Sequence, residues 1–383
     1  MKEPSVEKQL QGLIEAANEP GRTKLALDWK KRGGKVIGLL CSYVPEEIIH
    51  AAGILPWHIR GTDKSDTPHA LEHRMASSSL YCNRVLESFL NGELDFLDGV
   101  IATDREQDLV RLWDVLVHLK KTQFAHIIHV PNAASALCRK QMAKEIAGLK
   151  KSVEEFSGTK ITDESLRQAT IVFNKMRTLL AKLYEMRKRA VPPVSGAEAM
   201  AIVAAATVMP KDEFNRELEA LLPYLEKRKA PVERVHPRLL LSSDTLYNPS
   251  YIQLVEQSGC LVAMDDLDPG SRYFWQTVDT RLKDQVYALA KRYLSRPAHP
   301  RMFDWDKQAK QVIDWVKEYH IDGVLEMPEI YSLSRQFRVP IFQAKLTEAG
   351  IPNISIPRFH DMADASQLRT RIEAFVEMLQ SRA

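Results

Sequence analysis

Cysteine is scarce in this chain, with four in 383 residues, and none of the four is spaced as a structural motif. Scattered thiols make no disulfide framework, and they point to a reducing compartment where thiols are kept for packing or ligation. The absence of a Cys-x-x-Cys pair and of His-Glu-x-x-His speaks against a zinc ribbon, a thioredoxin-like dithiol and a helical zinc site. There is no Gly-x-x-x-x-Gly-Lys loop and no Gly-x-Gly-x-x-Gly fingerprint, so neither ATP nor a dinucleotide is expected to bind in the usual way. Without a Gly-x-Ser-x-Gly elbow, an α/β-hydrolase is disfavoured. Charge of one sign is also missing: 53 basic residues face 50 acidic ones, which gives no reason to expect nucleic acid or a membrane surface as partner. The longest apolar run, Ala197 to Met209, is too short for a bilayer and contains Glu198. The N-terminus has no apolar stretch of the signal-peptide kind, and the expected location is the cytoplasm.

What the chain does have is 45% hydrophobic residues, enough for two ordinary cores. Strand-like runs at Val36–Leu40, Ile54–Ile59, Leu97–Ala102 and Ala125–Val130 alternate with amphipathic stretches at Pro45–Ala52, Ser79–Asn91, Arg105–His118 and Lys140–Phe156. Short β-rich runs followed by helices indicate βαβ units and a parallel sheet. The pattern restarts with strands at Arg238–Leu241, Cys260–Met264, Gly323–Leu325 and Asn353–Ile356 and helices at Pro249–Gln257, Arg281–Leu294, Asp306–Tyr319, Ile341–Ala349 and Ser366–Leu379. Between them the chain reads as helical: Thr162 caps a helix from Asp163 to about Arg189, and two more follow at Gly196–Val208 and Asp212–Lys227. The expected class is α/β, with a helical arm at 1–34, a first parallel-sheet domain at 35–160, a helical segment at 161–230 and a second parallel-sheet domain at 231–383. The charged, proline-rich stretch Arg228–Pro237 reads as a linker.

Candidate chemistry gathers where strands end. Cys41 closes an apolar strand, and Pro45 then opens a helix that starts with Glu46 and Glu47. Open α/β sheets bind ligands at such ends, and a helix N-terminus stabilises a thiolate. Cys82, near the start of another helix with Arg84 two residues on, is the natural second member; for either thiol, the alternative is a buried small hydrophobe. Cys260 reads as core, and Cys138 fits either role. Asp104, Ser242 to Asp244, Asp265-Asp266 and Glu326 also lie at strand ends. The run Arg272-Tyr273-Phe274-Trp275 is either an aromatic plug between domains or a pocket wall, with Arg272 meeting an anionic group. His118, His126 and His129 are not spaced as a ligand set.

The motifs Cys41-Ser-Tyr-Val-Pro-Glu-Glu, Cys82-Asn-Arg, Phe96-Leu-Asp-Gly-Val, Ser195-Gly-Ala-Glu-Ala, Asp265-Asp-Leu-Asp-Pro-Gly-Ser-Arg-Tyr-Phe, Ile321-Asp-Gly-Val and Gln367-Leu-Arg-Thr-Arg-Ile-Glu-Ala-Phe run nearly the length of the chain. Through them the chain resembles the 2-hydroxyacyl-CoA dehydratase and benzoyl-CoA reductase family, in particular its smaller core subunit. The resemblance implies two flavodoxin-like domains, a related larger partner subunit, and an iron–sulfur cluster of the 4Fe-4S kind held by three cysteines. It also implies a separate ATP-hydrolysing iron–sulfur activator, fed by reduced ferredoxin or a similar donor. That activator injects one electron at low potential to make a ketyl radical from an acyl-CoA substrate. The reading placed first is a core subunit of benzoyl-CoA reductase from anaerobic aromatic degradation. The second is a subunit of a 2-hydroxyacyl-CoA dehydratase, and the third is a cluster-free structural subunit of either hetero-oligomer. The match makes Cys41 and Cys82 the cluster ligands. A third cysteine is expected after Ile321-Asp-Gly-Val, where this chain reads Glu326-Met-Pro-Glu-Ile-Tyr331-Ser-Leu-Ser, and Asp268 stands where many relatives have cysteine. The cluster is then held by two cysteines and an unusual donor, completed by the partner, or lost. For a ketyl anion, helix N-terminal amides at Glu46 and Glu47 and the Arg84 guanidinium are candidate donors, with Tyr273, Phe274 and Trp275 walling a water-excluding, largely apolar cleft.

Overall fold

The computed structural model describes residues 3–64, 66–119, 121–229, 236–359, 362 and 364–382. Four strands, β1 (Val36–Leu39), β2 (Leu55–His58), β3 (Gly99–Thr103) and β4 (Phe124–Ile128), form an all-parallel sheet in the order β2-β1-β3-β4. A second parallel sheet repeats that order: β5 (Arg238–Thr245), β6 (Leu261–Asp268), β7 (Gly323–Met327) and β8 (Asn353–Ser355) lie as β6-β5-β7-β8. Both match the expected pair of flavodoxin-like sheets. β1, β3, β6 and β7 are buried along their whole length, as strands covered by helices on both faces must be. Pro56 lies within β2, which is tolerated because β2 is an edge strand and its missing N–H breaks no ladder on the open side. In each sheet the order reverses beside the first strand, so the crevices beyond the ends of β1/β3 and β5/β7 are topological switch points, where open α/β sheets take ligands.

The helices follow the expected pattern with one substantial difference. Helix Asp163–Met186 is capped by Thr162, which accepts from the Ser165 amide, and it buries Leu166, Ala169, Phe173, Met176, Leu180, Leu183 and Tyr184 as the spacing predicts. The helix expected from Ile341 instead begins at Leu333 and runs through Pro340 to Glu348. Its first two turns bury Arg335 and Arg338 rather than apolar residues, so hydrophobic periodicity does not reveal them.

One core surrounds the first sheet and a second joins the helical segment to one face of the second sheet. Helix Gln285–Ser295, although late in sequence, crosses over: Ala288, Leu289 and Tyr293 pack in the first-sheet core, against helix Ala136–Ser157. The N-terminal helix Glu3–Ala16 packs on helix Gly196–Ala206. Most of the expected linker, residues 230–235, lies outside the described residues. No described helix is long and apolar enough to cross a membrane.

Candidate active site

The carboxyl ends of the two sheets share a cavity of about 240 Å³. Each side of it is a switch point. Leu40, Cys41 and Ser42 follow β1, and Arg105 to Leu109 follow β3; Asp244 and Thr245 end β5, Asp268 ends β6, and Glu329 and Tyr331 to Ser334 follow β7. Ser79, Tyr81 and Cys82 come from the start of helix Leu80–Leu90, and His299 and Arg301 from the segment after helix Gln285–Ser295.

Both candidate cysteines therefore reach one cavity. The Cys82 amide donates to the Ser79 hydroxyl, which caps the helix and fixes the thiol in its first turn. Neither thiol is activated as the sequence suggests. Burial raises Cys82 to about 12, outweighing Arg74, and burial followed by the nearby Asp268 carboxylate raises Cys41. The helix after Cys41, Glu46–Ala51, has only six residues, and desolvation overrides what its dipole offers. The stretch expected to carry a third cysteine presents Glu329, Tyr331, Ser332 and Ser334 to the same cavity. Among the described residues there is no group of three His, Cys, Asp or Glu side chains arranged to hold a metal ion. Two thiols with no third such donor grouped beside them are too few for a cluster that prefers three or four thiolates, so the described residues do not fit a cluster held by this chain alone.

The other expected site residues lie elsewhere. Glu46 is buried in a separate network: Lys211 Nζ is 3.0 Å from one carboxylate oxygen, His58 Nε2 is 3.1 Å from the other, and the Tyr273 hydroxyl donates at 3.2 Å. Glu47 accepts from Arg177 Nη2 at 2.5 Å and from the Tyr293 hydroxyl at 2.9 Å. Both glutamates point toward the helical segment. Arg84 donates to the Thr62 carbonyl at 2.9 Å and lines a different, smaller cavity with Arg60, Asp63 and Arg358. Arg272 is buried and donates to Asp266 at 2.7 Å; burial alone would lower its pKa, and the Asp266 charge raises it instead. Phe274 packs against Tyr184 and Trp275 against Trp315, with centroids 4.7 and 5.1 Å apart. Tyr273, Phe274 and Trp275 thus form the interdomain plug that the sequence left as the alternative, and none lines the cavity.

The cavity's own polar groups are mostly ones the sequence does not single out. Glu106 precedes helix Gln107–His118 and accepts from the Ser334 hydroxyl at 2.5 Å. Arg105 is 1% exposed and donates to Asn132 Oδ1 at 3.1 Å; its Nε and Nη2 have no hydrogen-bond partner among the described residues. Asp268 accepts from Ser42 at 2.5 Å through one oxygen, and the other has no such partner. Asp244 was visible in the sequence as a strand end. Glu106, His299 and Arg301 carried no comparable signal, since each faces the cavity across a boundary between distant segments.

Two repeated parallel sheets with a shared cavity at their facing switch points define an α/β protein of the class whose ligands bind at such ends. Residues 41–379 match the family model described as 2-hydroxyglutaryl-CoA dehydratase, D-component, and the chain belongs to that family. It is similar to the β subunit of (R)-2-hydroxyglutaryl-CoA dehydratase from Acidaminococcus fermentans, at 26% identity over 94% of this chain and 96% of that one. It is also similar to the (R)-phenyllactyl-CoA dehydratase β subunit of Clostridium sporogenes, at 23% identity over 91% and 93%. A benzoyl-CoA reductase subunit of Thauera aromatica matches at 25% over 92% and 94%. The family expected from the motifs is the family found.

Proposed function

We propose that this chain is the smaller subunit of a two-subunit 2-hydroxyacyl-CoA dehydratase, and that its cavity handles the oxygen and protons of the acyl group. The observation that carries the reading is the cavity lining. Hydroxyls of Ser42, Ser79, Ser332 and Ser334, carboxylates of Asp244, Asp268 and Glu329, and the Arg105 guanidinium line the space beside Leu40, Leu109, Leu333 and the rings of Tyr81, Tyr247 and Tyr331, while the aromatic run expected to wall it is packed elsewhere. A site that removes water needs groups that bind a hydroxyl and move protons. The similarity to dehydratase β subunits supports the same choice of class.

The partner subunit supplies the low-potential electron chemistry in this reading. That follows from the poor fit of Cys41 and Cys82 to a complete cluster, and it makes this chain the substrate-shaping half. The activator and upstream electron donor implied by the resemblance act on that partner. Benzoyl-CoA reduction is the second reading, supported by the similarity to a benzoyl-CoA reductase subunit at the same level of identity.

The test is anaerobic purification of the chain with whatever partner copurifies, followed by a thioester panel. Water loss from a 2-hydroxyacyl-CoA without net reduction is the expected result. Conversion of benzoyl-CoA to a cyclic diene, with no water loss, would transfer the assignment to the second reading. Iron and acid-labile sulfide measured on the separated chain and on the complex are expected only in the complex.

A further inference from the structure

We propose that Glu106 is the proton-transferring group of the cavity, positioned by Ser334 and His299, and that Arg105 binds the acyl carbonyl oxygen beside it. This deepens the dehydratase reading and rests on it for the identity of the substrate. The Glu106 side chain is 28% exposed, and it lines the cavity. One carboxylate oxygen is tied to the Ser334 hydroxyl at 2.5 Å, with His299 Nε2 at 3.6 Å from the same atom. The Arg301 amide donates to His299 Nδ1 at 3.3 Å, which puts the ring proton on Nε2, facing Glu106. The group is thus anchored through one oxygen and open to a ligand through the other.

The surroundings leave Glu106 able to both give and take a proton near neutrality. Burial, then Asp244 after the opposing Ser334 bond, raises it to about 7, against the pull of Arg301 and Arg105. His299 cannot neutralise it as a cation: burial, followed by Arg105, Arg272, Arg335 and Arg296, holds the imidazole neutral well below its ordinary range. A carboxyl balanced near the working pH is the favourable case for general acid–base catalysis. Arg105 adds two buried N–H donors without partners among the described residues, suited to an oxygen that gains negative charge.

The proton steps close on themselves. Protonated Glu106 breaks its O–H bond as the C2–O bond of the 2-hydroxyacyl group breaks, and the departing oxygen keeps its bonding pair and leaves as water. The resulting carboxylate then takes the proton from C3, whose bonding pair becomes part of the C2–C3 double bond. A low-potential one-electron carrier lends an electron to the thioester at the start and receives it back at the end, so the reaction is redox neutral. Arg105 holds the carbonyl oxygen throughout.

In the copurified complex, Glu106→Gln is expected to keep acyl-CoA affinity within threefold while turnover falls at least about a hundredfold, the scale of general acid–base catalysis. Exchange of C3 deuterium with solvent falls with it. Ser334→Ala, which removes a hydrogen bond to the ionised form, is expected to keep turnover measurable and move the corresponding limb of the pH profile upward. Wild-type turnover in Glu106→Gln, or an unmoved limb in Ser334→Ala, overturns the assignment. If the wild-type complex removes water from no 2-hydroxyacyl-CoA, the functional reading fails separately. Difference infrared spectra of the isolated chain still decide for Glu106: a protonated carboxyl band that titrates near pH 7 and is absent in Glu106→Gln sustains its proton-exchanging character, and its absence from the wild type refutes it.

Discussion

Replacing Lys211 by methionine tests whether the buried charges around Glu46 hold this molecule together. Lys211 is fully buried and bridges the Glu46 carboxylate at 3.0 Å and the Ala206 carbonyl at 2.5 Å. Burial alone would raise the Glu46 pKa; Lys211, then His58, reverses this and brings it from 4.5 to about 2. A depression of that size corresponds to about 3 kcal/mol favouring the ionised folded form. Because the folded pKa lies below the unfolded one, that stability is fully present above pH 4.5 and is lost as pH falls through about 2. Removing Lys211 leaves a carboxylate with only His58 and Tyr273 to answer its burial, a change that usually costs about 3–5 kcal/mol. In the variant the Glu46 pKa moves upward, so the carboxyl can escape the penalty by taking a proton in acid. The expected loss is therefore about 3 kcal/mol at pH 7 and clearly less at pH 4.5, read from urea unfolding followed by circular dichroism. Adding Glu46→Gln should return at least half of the loss, giving a coupling of about 2 kcal/mol in the double-mutant cycle. A loss below about 1 kcal/mol at pH 7, or one that is the same at both pH values, would refute the reasoning.

Three other outcomes are expected. At pH 8 a small thiol reagent should label Cys138, which is partly exposed, well before buried Cys41, Cys82 and Cys260, as peptide mass mapping would show; rapid labelling of Cys82 contradicts the burial that raises it to about 12. Gly99→Ala places a Cβ 2.9 Å from Phe124 Cβ and 3.0 Å from its carbonyl oxygen, across the β3–β4 register, and should cost about 1–3 kcal/mol in urea unfolding. Ser195→Ala removes one half of a capping box, in which Ser195 Oγ accepts from the Glu198 amide at 3.1 Å and Glu198 accepts from the Ser195 amide at 3.0 Å; about 1 kcal/mol should be lost, and an unchanged midpoint would speak against the cap.

The sheets were legible because buried parallel strands announce themselves as short apolar runs, and all eight runs became strands within a few residues of their expected bounds. Cys41 and Cys82 were legible as cavity groups because strand ends and helix starts in an α/β fold converge. What escaped the sequence depends on partners far along the chain. Whether Glu106 is a surface carboxylate or a cavity acid is decided by Ser334 and His299, 228 residues away in the first case. The Arg272–Trp275 run could be a wall or a plug, and the choice rests on Tyr184 and Trp315 in two different helices. The start of helix Leu333–Glu348 escaped because its buried face is ionic: Arg338 lies 3.1 Å from Glu326, and apolar periodicity has nothing to register there.

That ionic interior bears on how the site works. Among the described residues, eight of the twelve largest fully buried side chains are arginines, among them Arg105, Arg272, Arg296, Arg335 and Arg338, so the space between the sheets is held by directed charge as much as by apolar packing. Buried ion pairs add little net stability over apolar residues of the same shape, but each fixes a geometry and is costly to break. The Glu46 and Glu47 networks draw on the first half of the chain, on Lys211 and Arg177 in the helical segment, and on Tyr273 and Tyr293 in the second half. They therefore lock three parts of the chain in one arrangement. A cavity whose chemistry comes half from β1 and β3 and half from β5 to β7 functions only if those edges keep their spacing. On this argument Glu46 and Glu47 act at the site without touching it: they hold the edge carrying Glu106 opposite the helix carrying Ser334.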